Sequence, residues 1–298
     1  MISILIPIYN EYVVRLVEDL LKQCRITKIP FEIICLDDCS EQKYKSKNRA
    51  LNHLFGVNYV ELKDKHGRSK IRNRLASLAR YDHLLYIDSD SKIISKQYIK
   101  KYVKAIKENP KSIIYGGRSY PKKAPKNKSL RLHWKYGLIR ESPPAAKRNK
   151  RKTELLHSNN LITPRTVIEK FPFNKSLYSY GYEDIYWAFD IGSHHEIIHI
   201  DNPIKHSGLK KTELFLKDTT DSIINLVKLY RAAPLLNTRL IRAYKVLLNL
   251  KIDKAYIRLL NPLEDQIIKR LNRPNPKLIY LDLFKLHYFA KEHLADRI

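Results

Sequence analysis

Residues 86–91 read YIDSDS, in which two aspartates separated by one serine directly follow the apolar run HLLYI. The apolar run predicts a buried strand. Two carboxylates this close repel each other unless a cation or the start of a helix lies between them. The helical pattern that follows, SKQYIKKYVKAIKENP, makes Asp88 or Asp90 a candidate N-cap. A cation site and a helix cap therefore both explain the stretch.

The rest of the first half alternates between apolar runs and helical spacing. Helical periods begin after Glu11 and again over residues 66–80. Strands that alternate with helices predict βαβ units and a mainly parallel sheet. The further predicted strands are ISILIPI (2–8), FEIICL (31–36), VNYVEL (57–62) and SIIYGG (112–117).

Polar residues end three of these strands, at Pro7–Glu11, at Asp37-Asp38 and at Asp88–Asp90. Ligands of open parallel sheets bind at the carboxyl ends of strands, so these groups should share one edge. The chain has only 8 glycines and neither a GxGxxG nor a GxxxxGK[ST] motif, so it lacks the usual backbone cradle for a pyrophosphate. A divalent cation held by Asp88 and Asp90 would neutralise phosphates instead, and carboxylate oxygens suit Mg²⁺ or Mn²⁺.

The charge of the chain is strongly positive, with 57 lysines and arginines against 30 acidic residues and a net charge of +27. Such an excess predicts anionic partners, which include nucleotide phosphates, nucleic acid and an acidic membrane face. Residues 121–152 hold twelve basic residues and a single acid. This basic segment is either a solvated loop or a flap that closes over an anionic ligand.

The C-terminal part, from about Thr212, has a helical period interrupted by prolines. Its tail, KLIYLDLFKLHYFAKEHL, is amphipathic, which indicates either core packing or docking on a membrane surface or a partner. The N-terminal run is typical of a first strand and not of a signal peptide. The three cysteines have no metal-binding spacing, which favours reduced thiols in a cytoplasmic protein.

Two further features carry candidate chemistry. Glu183 and Asp184 open the helical run in SYGYEDIYWAFDI, and His206 follows the strand EIIHI in NPIKHSG. Acids in a first helical turn also complement the helix dipole, so the pair has a structural explanation as well. A single histidine is by itself weak evidence for a metal ligand.

Taken in order, these motifs resemble the family 2 glycosyltransferases, which have the GT-A fold. The resemblance covers about residues 1–208 and rests on PIYNE, LDDCS, GRSKIRNRLA, YIDSDS, YGYEDIYWAFDI and HIDNPIKHSG. It implies an α/β GT-A catalytic domain over residues 1–210, with 121–152 as a basic flap, and a helical C-terminal region over 211–298. One departure is the single glycine of GYED, which bears on the geometry of the acceptor loop.

The resemblance also implies roles for individual residues. Asp184 would be the general base, and Glu183 would contact the acceptor sugar. The metal, Mn²⁺ or Mg²⁺, would be held by Asp88, Asp90 and His206. The residues implied to bind the nucleotide are Pro7, Asn10, Glu11, Asp38, Arg68, Arg72, Asp88 and Ser89.

The function expected on this basis is metal-dependent, inverting transfer of a sugar from a UDP-sugar to a glycan or lipid-linked acceptor in cell-surface polysaccharide synthesis. A nucleotidyltransferase is one alternative, although PIYNE is not a glycine-rich phosphate loop. A basic nucleic-acid-binding protein is another, but acids at the sheet edge would repel a phosphate backbone, so we expect no nucleic-acid partner. The basic segments predict a cytoplasmic protein held at the anionic inner membrane face.

Overall fold

A computed structural model describes residues 1–175 and 181–295, and these residues form two compact units. The first unit contains residues 1–120, 141–175 and 183–208. The second contains residues 121–140, 181–182 and 209–295.

The strands all lie in the first unit as far as the structure is described. In chain order they are β1 (Ile2–Ile8), β2 (Phe31–Asp37), β3 (Val57–Glu61), β4 (His83–Tyr86), β5 (Ser91–Lys92), β6 (Ile113–Tyr115), β7 (Arg118–Ser119), β8 (Leu161–Pro164), β9 (Ile197–His199) and β10 (Ile204–His206).

The α-helices are distributed over both units. In chain order they are α1 (Val14–Thr27), α2 (Gln42–Asn48), α3 (Arg68–Leu78), α4 (Tyr98–Glu108), α5 (Arg131–Tyr136), α6 (Ala145–Arg148), α7 (Arg165–Lys170), α8 (Glu183–Ile191), α9 (Thr212–Ala232), α10 (Arg239–Asn249), α11 (Asp253–Leu260), α12 (Glu264–Leu271) and α13 (Leu278–Ala295). Short 3₁₀ turns occur at Arg49–His53, Lys128–Leu130, Asn149–Arg151 and Asn261–Leu263, and a π-helical segment occurs at Gly137–Glu141.

Seven strands form one sheet in the order β3-β2-β1-β4-β8-β6-β9. Its pairs are parallel except those of β8, which runs antiparallel to both β4 and β6. The prediction of a mainly parallel α/β sheet is therefore confirmed, and the antiparallel strand is an addition to it.

The first strand shows why the predicted runs are continuously apolar. Ile4 and Ile6 pack into a core cluster with α1 and α4, whereas Leu5 packs into a second cluster with α3 and α8. Successive side chains of a strand point to opposite faces, and here both faces are covered by helices. Six of the seven residues of β1 are therefore apolar, and the buried hydroxyl of Ser3 donates to Glu32 Oε1 (2.6 Å).

The register brings several loops to one edge of this sheet. The amide of Asp38 donates to the Ile8 carbonyl (2.8 Å), and the amide of Asn160 donates to the Tyr86 carbonyl (2.8 Å). Because β8 runs antiparallel to β4, the residues that precede β8 lie where β4 ends. Residues 157–160 therefore join the strand ends that the sequence predicts to bind a ligand.

A small second sheet, in the order β5-β10-β7, extends this edge. In its antiparallel pair, His206 lies opposite Ser91, which immediately follows Asp90. This pairing brings two residues that are more than a hundred positions apart in the sequence into one site.

One buried histidine of the first unit has a clear electrostatic environment. His199 Nδ1 accepts a hydrogen bond from Arg148 Nε (3.3 Å), and its Nε2 donates to the Lys152 carbonyl (2.9 Å). Burial, together with the charge of Arg148, lowers the pKa of His199 to about 4. The ring is therefore neutral at pH 7.

The second unit has its own apolar core. Leu132 of α5 packs in this core, so part of the predicted basic flap is a helix that belongs with the C-terminal helices. The apolar side of the C-terminal tail, α13, is buried in the same unit, as ordinary core packing requires. Its buried apolar residues are Leu278, Leu281, Phe284, Phe289 and Ala290. Among the helices that the structure describes, none combines the length and apolarity that a membrane crossing needs.

Candidate functional site

Asp88, at the end of β4, lies between two arginines. Its Oδ1 is 3.2 Å from Arg72 Nη2, and its Oδ2 is 3.3 Å from Arg118 Nη2. Its backbone amide donates to Asn159 Oδ1 (3.0 Å). Two guanidinium groups and a fixed backbone hold this carboxylate in one orientation.

Arg72 of α3 connects Asp88 to the start of α8. Its Nη1 is 3.3 Å from Glu183 Oε1, and Arg68 Nη1 is 3.6 Å from the same oxygen. Arg72 and Glu183 are only 2% and 4% exposed, so water screens the contact weakly. The acids of YIDSDS and of YGYED thus meet through one buried guanidinium group.

Asp184 has a different partner. Its Oδ2 is 3.2 Å from Nδ1 of His157, which lies in the loop before β8. Burial alone would raise the pKa of the Asp184 carboxyl. The hydrogen bond and charge of His157, with the charges of Arg118 and Arg72, outweigh that effect and hold the pKa well below its usual value. The carboxylate is therefore ionised at pH 7, the protonation state that a general base requires.

Asp90 points toward His206, with 3.3 Å between Asp90 Oδ1 and His206 Nδ1. Burial raises the pKa of Asp90, but His206 and nearby arginines outweigh it and lower the pKa to about 2. Burial, followed by the charge of Asp90, raises the pKa of Glu11, so Glu11 belongs to the same neighbourhood. A Cβ added at Gly208 would lie 2.4 Å from Asp90 Oδ2, so a larger residue there would displace this carboxylate.

The side chains around Asp90 suit the implied metal ion. Asp90 and His206 offer one carboxylate and one imidazole, a donor set that suits Mn²⁺. No group of three or more His, Cys, Asp or Glu side chains with metal-binding geometry occurs in residues 1–175 and 181–295. Ions of this kind commonly take few protein ligands and complete their shell with substrate phosphates and water, so the pair fits. Asp88, the third predicted ligand, has both oxygens on arginines.

The predicted nucleotide-binding residues at the first two strand ends have mainly local contacts. Asn10 adopts a left-handed conformation (φ 54°), and its Oδ1 accepts from the Glu41 amide (2.9 Å). The Asp38 carboxylate accepts from the amides of His66 (2.6 Å) and Gly67 (2.9 Å), which fixes the loop before α3. Its role in reading a uracil edge stays a prediction.

Pro7 and Ser89 are the remaining residues predicted to bind the nucleotide. Pro7 lies in β1 opposite Leu36 of β2, and Ser89 is half-buried between the two aspartates. Residues 176–180, which begin the predicted acceptor loop, lie outside the described residues.

Sequence reasoning missed Arg118, His157 and Asn159. Arg118 follows β6, a predicted strand, so the rule that polar residues at carboxyl ends form the site could have found it. His157 and Asn159 precede β8, and they reach the site only because β8 is antiparallel. No spacing in the sequence signals that reversal.

These observations define a class of protein. It is an α/β protein with acids and arginines converging at the carboxyl edge of a mainly parallel sheet. A model of the family described as "Glycosyl transferase family 2" matches residues 3–175, more than half of the chain. The chain therefore belongs to glycosyl transferase family 2, and the resemblance seen in the sequence is confirmed.

Two relatives are similar to this chain over part of their length. An uncharacterized glycosyltransferase of Haemophilus influenzae is 30% identical over 112 residues, which are 37% of this chain and 36% of that protein. A poly(ribitol-phosphate) beta-glucosyltransferase of Bacillus spizizenii is 31% identical over 136 residues, 41% of this chain and 20% of that one. The chain thus spans about a third of the length of the first relative and about a fifth of the length of the second.

Solved structures show the same fold. The mannosyltransferase PcManGT of Pyrobaculum calidifontis, in complex with GDP-Man and Mn²⁺, has a TM-score of 0.64 at 16% identity, with coverage of 100% of this chain and 88% of that one. Residues 1–349 of S. aureus TarS give a TM-score of 0.55 at 18% identity, covering 99% and 91%. TarS has also been solved with UDP and with UDP-GlcNAc. The predicted GT-A fold is confirmed.

Proposed function

We propose that this protein is a metal-dependent, inverting glycosyltransferase that uses a UDP-sugar. Its acceptor would be a glycan or lipid-linked saccharide in cell-surface polysaccharide synthesis. The observation that carries the proposal is the Arg72 bridge, because it joins Asp88 to Glu183 at one sheet edge. The beta-glucosyltransferase relative and the nucleotide complexes of TarS support the donor and the pathway class.

Asp90 and His206 would hold the divalent cation, with Asp88 beside them. When bound, such a cation supplies Lewis-acid stabilisation of the negative charge that develops on the departing nucleoside diphosphate. The role of Asp88 would then be to orient Arg72 and Arg118 at the same edge.

Asp184 would act as the general base. An acceptor hydroxyl attacks the anomeric carbon from the face opposite the diphosphate, and its proton passes to a carboxylate oxygen of Asp184. One displacement from the opposite face inverts the configuration at that carbon. Glu183 would contact the acceptor sugar, and His157 would hold the Asp184 carboxylate in orientation. Base assistance of this kind contributes about 10²–10⁴-fold to the rate.

The test is a screen of UDP release across nucleotide sugars with Mn²⁺, followed by mass analysis of the product. Once a donor is found, Asp184→Asn is compared with Asp190→Asn, an exposed carboxylate on the same helix. We expect Asp184→Asn to lower kcat by about 10²–10⁴-fold with little change in donor KM, because only the proton acceptor is lost. Asp190→Asn should behave like the wild type. A near-normal kcat for Asp184→Asn would remove Asp184 from the mechanism.

A further inference from the structure

The turn between α10 and α11 forms one end of a helical hairpin in the second unit. The turn has three residues, 250–252, and the amide of Ile252 donates to the Leu247 carbonyl (3.0 Å) across it. Lys251 adopts a left-handed conformation (φ 56°), which reverses the chain sharply. Residues on both sides of this turn therefore lie close together.

This hairpin carries large apolar side chains on its outer side. Val246, Leu250, Ile252 and Leu259 are 55%, 61%, 42% and 64% exposed, whereas Leu247 and Leu260 of the same helices are buried. Val246 lies on α10 and Leu259 on α11, while Leu250 and Ile252 lie in the turn that joins the two helices. Single exposed leucines are common, but such a grouping indicates a surface that contacts something.

Basic side chains are interleaved with these apolar residues. Lys251, Lys254 and Arg258 are exposed, and Asp253 is the one acid in residues 246–260. A second copy of this chain would bring the same positive charges against each other, which opposes self-association. An anionic lipid surface accepts both features, since its phosphates attract the cations and its acyl region takes up leucine side chains.

We propose that the outer side of the α10–α11 hairpin, residues 246–259, docks on an anionic lipid bilayer. The apolar residues enter the boundary between headgroups and acyl chains, and the three basic residues contact lipid phosphates. This deepens the proposed function, because it gives the enzyme a surface for meeting a lipid-linked acceptor. Lipid binding itself requires no turnover, so it can be measured whether or not the proposed transfer reaction is found.

The experiment is flotation of the full chain with vesicles of phosphatidylcholine alone or mixed with phosphatidylglycerol. The variants are Leu250→Ser/Leu259→Ser, which removes apolar contacts, and Lys254→Gln/Arg258→Gln, which removes charge. The matched control is Ile26→Ser/Phe55→Ser, two exposed apolar residues of the first unit. All these positions are exposed, so circular dichroism should show wild-type folding.

We expect the wild type and the control to float with the phosphatidylglycerol vesicles. The double leucine variant should partition roughly 10- to 100-fold less, and the Gln variant should show a weaker preference for anionic vesicles. Equal flotation of wild type and leucine variant, or no flotation of the wild type, would overturn the proposal. So would sedimentation equilibrium in which the wild type dimerises and the leucine variant is monomeric, because the surface would then join two copies.

Discussion

The Arg72 bridge makes a quantitative prediction about stability. Replacing Arg72 by Met keeps most of the side-chain volume but removes the guanidinium group between Asp88 and Glu183. Both carboxylates would then stay in a poorly hydrated place without their shared partner. We expect the first unit to lose stability.

The expected loss of unfolding free energy depends on the ion-pair partners that each acid keeps. Breaking a buried ion pair by removing one partner costs about 3–5 kcal/mol. Asp88 keeps Arg118 at 3.3 Å, and Glu183 keeps the half-exposed Arg68 at 3.6 Å, so each acid stays partly compensated. We therefore expect a loss near the lower end, about 3 kcal/mol.

Tryptophan fluorescence can report this unit selectively. The chain has two tryptophans, and Trp187 is buried in the first unit, where it stacks on Phe173 with 4.9 Å between ring centroids. In a Trp134→Phe background, urea unfolding followed at Trp187 measures the unit that holds the bridge. Arg74→Met, an exposed position on the same helix, is the matched control.

The Arg74→Met control should have the same urea midpoint as the Trp134→Phe protein. Arg72→Met should have a clearly lower urea midpoint, with a similar dependence of the unfolding free energy on urea. If both variants unfold together, the guanidinium group does not bridge the two acids in solution, and the reasoning that joins YIDSDS to YGYED fails.

Three further predictions concern the same unit. Gly208→Ala should weaken Mn²⁺-dependent UDP binding in calorimetry, because its Cβ would displace the Asp90 carboxylate. An unchanged affinity would show that Asp90 does not bind the metal. His157→Ala should lower kcat and move its acidic limb to higher pH, because loss of His157 lets the pKa of Asp184 rise; an unmoved limb would refute the contact. His199 binds a proton more readily when unfolded, since its folded pKa is lowered to about 4 from 6.5. The contribution of His199 to stability should therefore fall as pH drops from about 6.5 to about 4 and stay constant below that. His199→Gln should flatten that fall, and urea unfolding at several pH values measures both slopes.

Much of the fold could be predicted because its signals are local. Continuous apolar runs such as residues 2–8 indicate strands covered on both faces, and β1 has that environment. Helical spacing over residues 66–80 similarly indicates α3. Since parallel strands end at one edge, the meeting of Asp38 with the end of β1 also followed from the pattern.

The rest depends on pairings that leave no local signal. Whether β8 runs parallel or antiparallel is decided by its long-range partners, and only the antiparallel direction brings His157 to Asp184. The sequence does not decide between the alternatives at Asp88 and Glu183, because an N-cap or a helix dipole would explain each acid alone. The structure excludes the cap, since α4 begins at Tyr98 and Gln97 is its N-cap residue. The Arg72 contacts add an explanation that needs both acids at once.

The division of partners among the acids also bears on where a cation would bind. Asp88 and Glu183 are compensated by arginines, whose fixed charges lower the local attraction for a metal ion. Asp90 instead faces His206, a group that becomes a metal donor when it is neutral. A site in which all three acids were paired with arginines would have little reason to recruit a cation. Of these three acids, Asp90 is the one that faces an imidazole, so metal affinity should depend far more on Asp90 than on Asp88. Calorimetry on the two Asn variants would rank them.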